Sequence, residues 1–165
     1  MKQNLLFVNP PIYDFTAYDF WLKPYGLLKI AGAFSSQNLY YFNFLGENYK
    51  KSVKRDGRGK FFKKKAEKPK IFSDIKKPYF RYGAPKEEFE DFLKSIKEID
   101  AVLITSSMTY WYLGVKEAAE SARKIHPKAK IILGGIYPTL MPESAEQLDV
   151  DFVVKGSDIQ PLREF

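Results

Sequence analysis

Four short stretches hold the residues best suited to binding chemistry. Ser106, Ser107 and Thr109 place three hydroxyls directly after an apolar run. Gly134-Gly135 follows a second such run, Gly156 follows a third, and Asn9-Pro10-Pro11 closes a fourth. Hydroxyls donate and accept hydrogen bonds or cap a helix. Glycines let the backbone approach a ligand or turn through positive φ. Proline stops a strand and keeps the residue before it out of the helical region. Around these stretches lie Tyr13, Asp14, Asp19, Trp21, Tyr110, Trp111 and Tyr137, aromatic and acidic side chains able to line a pocket. Each stretch also has a plain structural use: NPP and GG make turns, and loop aromatics cover their own loop. Taken together, at the ends of apolar runs, they describe a binding face without naming what binds.

Much other chemistry is excluded. The chain has no cysteine, so it carries no disulfide, thiolate nucleophile, iron–sulfur cluster or cysteine zinc site. The only histidine is His126, in KIHPK, where a helix should end before Pro127. A capping role there fits the helix dipole. No Ser-His-Asp set is available. The first run is not followed by G-x-G-x-x-G, and no Walker loop occurs. No residue is assigned a catalytic proton transfer or nucleophilic attack.

The elements that must position the binding face follow from periodicity. Apolar runs at 5–8, 40–45, 102–105, 131–133 and 152–154 read as strands. Four are nearly continuous, as suits strands buried on both faces of a parallel sheet. The second alternates and belongs nearer an edge. Between them, 26–37 places Leu27, Ala31 and Phe34 on one stripe, 85–98 places Phe89, Phe92, Leu93 and Ile96 together, and 114–125 does so with Val115, Ala118, Ala119 and Ala122. A shorter helix is expected over 142–148, and a further one near Pro161. The order predicts a doubly wound α/β domain: a mainly parallel, five-stranded, flavodoxin-like (Rossmann-like) sheet in order 2-1-3-4-5. Such sheets bind ligands outside the strand carboxyl ends, at the switch point between strands one and three.

One segment breaks the rhythm. Residues 46–86 carry a net charge of +11, so the remainder sums to −4 against a total of +7. The insertion, 47–84, reads as a basic surface excursion partly ordered by Tyr49, Phe61, Phe62, Phe72, Tyr79, Phe80 and Tyr82. Its lysines interleaved with Phe61 and Phe62 suit a nucleic acid or another polyanion as an alternative partner, or a docking surface. GRGKF lies inside it, away from any strand-to-helix turn. At 165 residues and 45% hydrophobic, the chain is expected to form a single domain over 1–165. No apolar run is long enough to span a membrane and no secretory signal opens the chain, so it reads as cytoplasmic.

NPP, KPYGLLKIAGAF, TSSMTYWY, IILGGIYPTLMPESA and DFVVKGSD together resemble the leading region of radical S-adenosylmethionine proteins with a cobalamin-binding-like domain. The resemblance covers nearly the whole chain. It implies a module that holds the nucleotide tail of cobalamin, lined at Ser106 or Ser107, at Gly134-Gly135 and at Gly156. It also implies a following barrel, the domain's own partner, whose three-cysteine motif holds an iron–sulfur cluster for S-adenosylmethionine chemistry. This chain would then be one domain of a longer enzyme, binding a cofactor or substrate or docking on the barrel. One departure matters. Related cobalamin modules carry Asp-x-His-x-x-Gly after strand one, whose histidine ligates cobalt. Here that region has Asp14 and Asp19 and no histidine. The aromatics Tyr13, Phe15, Tyr18, Phe20 and Trp21 either floor a corrin ring or fill its place.

Overall fold

The computed structural model describes residues 2–19, 23–53, 55–56, 58–156 and 160–163. In chain order the elements are β1 (Asn4–Asn9), β2 (Ile12–Asp14), β3 (Tyr18–Asp19), α1 (Tyr25–Ala33), β4 (Asn38–Asn43), β5 (Lys50–Val53), β6 (Gly59–Phe61), β7 (Lys63–Lys65) and β8 (Phe80–Tyr82). They continue with α2 (Lys86–Ser95), β9 (Ala101–Ser106), α3 (Tyr112–Ile125), β10 (Lys130–Gly135), α4 (Ile136–Leu140), α5 (Pro142–Ala145), β11 (Phe152–Val153) and α6 (Gln160–Arg163).

The central sheet runs β4-β1-β9-β10-β11, with every pairing parallel. Counting only these strands, the order is 2-1-3-4-5, the doubly wound order expected from the sequence. β4 lies at an edge, as its alternation suggested, with only Phe42 buried among its six residues. The middle strands are apolar throughout because both faces are covered. Leu6, Val8, Val102, Ile104, Ile131 and Leu133 point to one side, under α2 and α3. Leu5, Phe7, Leu103 and Ile132 point to the other, against Leu27 of α1 and Leu162 of α6. Fully burying each such side chain contributes about 1.5–3 kcal/mol.

The helices form where the stripes lie, with shifted ends. α2 buries Phe89 and Leu93, and α3 buries Val115, Ala118, Ala119 and Ala122. α3 ends at Ile125 with His126 at its C-cap, and the His126 ring nitrogen Nε2 lies 2.9 Å from the carbonyl of Leu93 at the end of α2. α1 stops at Ala33, short of the periodic pattern. α4 is an addition: the sequence suggests a turn at Gly134-Gly135, and a short helix begins right after Gly135.

The insertion is built differently from a surface excursion. It recruits the loop after β1 into two small antiparallel sheets, β2-β8-β7 and β3-β6-β5. Their shared core holds Ile12, Ala17, Phe61 and Tyr82, with Leu45, Phe80 and Trp111 packed against it. Tyr79 sits among Phe15, Phe72 and Tyr13. The basic charge faces outward from this aromatic layer, so the segment's folding is driven by its apolar residues. Lys60 and Phe61 of GRGKF lie in β6, Arg58 is ion-paired with Asp56, and Gly57 lies outside the described residues.

Candidate functional site

The expected switch point is closed. Pro11 and the start of α3 are in direct contact: a Cβ on Gly114 would lie 1.8 Å from the Pro11 carbonyl oxygen. Asn9, Pro10, Ser106, Ser107 and Trp111 surround a cavity of only about 20 Å³ there. Trp111 Nε1 donates to Asp14 Oδ2 at 2.8 Å, tying the loop after β9 to β2. The Ser106 hydroxyl is buried in this region with no hydrogen-bond partner among the described residues. The space is about right for one water molecule and much too small for a cofactor.

An open cleft lies on the opposite face of the sheet. About 380 Å³ in volume, it runs between α1 and the carboxyl halves of β9, β10 and β11, with Leu162 of α6 at one side. Leu27, Ile30, Leu103 and Ile132 make its walls apolar, and Thr105, Lys29 and the backbone of Gly134, Gly135 and Gly156 supply polar groups. That is the size and composition of a small-molecule site. The glycines shape it. Nothing lies within 4 Å of where a Cβ would stand on Gly26 or Gly156, so side chains there would project into open space. Thr139 fixes the rim: its hydroxyl donates to the Gly135 carbonyl at 2.7 Å and accepts from the Gly156 amide at 2.9 Å.

The residues singled out in sequence thus separate. Gly134, Gly135 and Gly156 share the open cleft. Ser106 does not reach it, because side chains alternate along a strand and Ser106 shares the α3 face with Val102 and Ile104, and Ser107, past the end of β9, lines the small cavity instead. Thr105, one position earlier, takes that place, and the two-residue period of a strand, counted along 102–106, was the signal for it. Gly26, Lys29 and Thr139 were missed. They sit on a helix start and inside α4, where no composition cue marks them.

The aromatic and acidic candidates are likewise dispersed. Tyr13 donates to Glu117 Oε2 at 2.6 Å, and burial together with Glu117 pushes its hydroxyl well above the ordinary range. Arg81 grips the same carboxylate with Nε and Nη2. Asp19 is buried in β3. Tyr137 is a core residue, 1% exposed, whose hydroxyl meets the Ser144 hydroxyl at 2.9 Å. Thr109 opens a 3-10 turn over Thr109–Trp111, and Tyr110 within it is exposed. Trp21 and Phe20 lie outside the described residues. Tyr13 and Phe15 are engaged by the insertion's own core and, in this arrangement, make no floor beneath a ring.

A second surface borders the cleft. Met108, Tyr110, Ile136, Leu140 and Met141 are all large, exposed and apolar. They come from the turn after β9 and from α4 and its end, which are in contact at the carboxyl edge of the sheet. No group of three or more potential metal ligands occurs among the described residues, and no helix among them is long and apolar enough to cross a membrane.

Fold and cleft together define a doubly wound α/β domain with an open cleft at the strand carboxyl ends. The B12 binding domain family matches residues 79–165, over half of the chain, and the chain belongs to that family. The matched region takes in β9, β10 and β11 with Thr105, Gly134, Gly135, Thr139 and Gly156. Comparison with curated proteins gives no match.

Proposed function

We propose that the chain binds a cobalamin, with the nucleotide tail lowered into the cleft beneath α1 and the corrin resting on the apolar platform of Met108, Tyr110, Ile136, Leu140 and Met141. The observation that carries this reading is the cleft itself. It is apolar and of ligand size, and it has bare backbone at Gly26 and Gly156 where side chains would fill it. Lys29 on its lining suits the phosphate of the tail. Thr139 holds the Gly135 and Gly156 backbones at fixed spacing, so the rim is formed before anything enters.

No histidine is available to meet the cobalt. The loop after β1 has none, and the His126 ring is engaged at the end of α2. Gly26, Lys29, Gly134, Gly135 and Gly156 would hold the tail, and the described chain would offer the metal no imidazole. When bound, the cofactor supplies the redox and alkyl-transfer chemistry of its cobalt. The chain's part is to bind, orient and shield.

Passing the protein with hydroxocobalamin through a gel-filtration column tests this. Co-elution is expected for the native chain and not for Gly26→Leu, which fills the cleft from a helical position. Free elution of the cobalamin from the native protein at high micromolar concentration would overturn the reading.

We further propose that this single domain acts ahead of a radical S-adenosylmethionine barrel, which would hold the iron–sulfur cluster. The run of motifs from KPYG to KGSD supports this. A three-cysteine cluster encoded downstream of Phe165 is the expected finding, and a stop codon there contradicts it.

A further inference from the structure

A second cleft, of about 1150 Å³, opens on the other side of the molecule and has no part in the cobalamin reading. Lys63, Lys64, Lys65, Lys68 and Lys70 of the insertion form one wall. The first turn of α2, with Lys86, and the ring of Tyr49 form the other. The floor is the Arg81–Glu117 pair with Tyr13. The floor's charges cancel, because Glu117 is paired with Arg81, taking two hydrogen bonds from its Nε and one from Nη2, with a fourth from Tyr13. The excess positive charge therefore sits on the walls.

Lys63 lies over the Phe80 ring at 3.9 Å and Lys68 donates to the Ile75 carbonyl. By contrast, Lys64, Lys65 and Lys70 have no ion-pair partner among the described residues, and Lys86 has Glu90 only at 3.9 Å. Arg81 has no bond at Nη1 among the described residues, although it lines the cleft. Two flat rings accompany the charge: Phe62 is 48% exposed at the wall, and Tyr49 is held in place by Glu88, which its hydroxyl meets at 2.6 Å. Glu117 is balanced by Arg81, leaving Glu67, Glu87 and Glu88 as the opposing acids against five lysines of the insertion and Lys86. A concave space of this volume, cationic on its walls and carrying exposed aromatic faces, fits a ligand with several phosphates and one planar ring.

We propose that this cleft is a binding site for a nucleoside polyphosphate, its phosphates on the lysines of β7 and the 66–70 turn and its base against Phe62 or Tyr49. The bland account of the same lysines is that they blunt β7, which is an edge strand, against pairing with other chains. The two accounts predict different things.

Calorimetric titration of the full chain with ATP, inorganic triphosphate, adenosine and a single-stranded oligonucleotide separates them. Saturable one-to-one binding of ATP is expected, tighter than either triphosphate or adenosine alone. Reversing two charges in Lys64→Glu/Lys65→Glu should weaken ATP about tenfold or more, since each lost charge-assisted contact is worth about 1.5–3 kcal/mol and 1.4 kcal/mol is a factor of ten. The control Lys97→Glu/Lys128→Glu, on exposed residues that do not line the cleft, should leave it unchanged, and cobalamin retention should be unaffected in both. If the reversed protein fails to fold, hydrogen exchange on the native chain gives the answer: ATP should protect 62–70. Absence of saturable ATP binding, equal binding of triphosphate, or no protection of 62–70 would overturn the proposal. So would oligonucleotide affinity that grows with length and is not displaced by ATP. Self-association of the reversed variant without any ATP binding to the native chain would favour the edge-blunting account.

Discussion

Gly135 packs so closely on Ser106 that a Cβ at position 135 would lie 2.4 Å from the Ser106 carbonyl oxygen. Its φ of 104° is one that side chains avoid. Gly134, its neighbour, meets nothing closer than Val154 at 3.9 Å and faces the cleft. One dipeptide therefore does two jobs. Gly135→Ala should cost more than about 2 kcal/mol of stability, from strain and displaced backbone together. Gly134→Ala should cost less than about 1 kcal/mol. Urea denaturation of both variants checks the contrast, and equal losses would contradict it.

Arg81 and Glu117 are joined at 2.6 Å with side chains only 12% and 10% exposed. Removing either partner strands a charge in a poorly hydrated place. Arg81→Ala and Glu117→Ala should each cost about 3 kcal/mol. The double variant Arg81→Met/Glu117→Leu should cost less than the sum of the two, because no charge is left behind. Chemical unfolding of the three proteins measures this coupling. Additive losses would mean that the insertion is held to α3 by packing alone.

Asp151 supplies an acid-dependent brace. Burial works against its ionisation, but the Ile131 amide at 2.8 Å and Arg123 at 2.7 Å outweigh it, and the carboxyl titrates below its ordinary value. A depressed folded pKa stabilises above the unfolded pKa of about 3.9 and ceases to do so as pH falls through the folded value. Asp151→Asn should therefore be about 1–2 kcal/mol less stable than the native chain at pH 7. The gap should narrow below about pH 4 as the native carboxylate takes up its proton. A gap that stays constant from pH 7 to pH 3 would contradict the charge-assisted account.

The parallel sheet was legible because its strands are apolar on both faces, and Leu5, Leu6, Phe7 and Val8 allow little else. The glycines after β10 and β11 were legible as strand-end markers. What the sequence concealed is tertiary. Nothing local in IYDFTAYDF announces that Ile12 pairs with Tyr82 and Tyr18 with Lys60, so the loop after β1 read as a ligand loop when it serves as two strands. That pairing is why Tyr13 and Asp14 are spent on Glu117 and Trp111. It also explains the closed switch point, with the open space on the face that Thr105 shares. A one-residue alternation separates Thr105 from Ser106, and a motif alone does not resolve it.

The central claim is that a cobalamin tail enters the cleft under α1 with no imidazole replacing it on the cobalt. The absorption spectrum of cob(II)alamin titrated with the protein at neutral pH tests this most directly. The account predicts a shift from the base-on to the base-off form that saturates with the native chain and is lost in Gly26→Leu. A spectrum that stays base-on at saturating protein would contradict it.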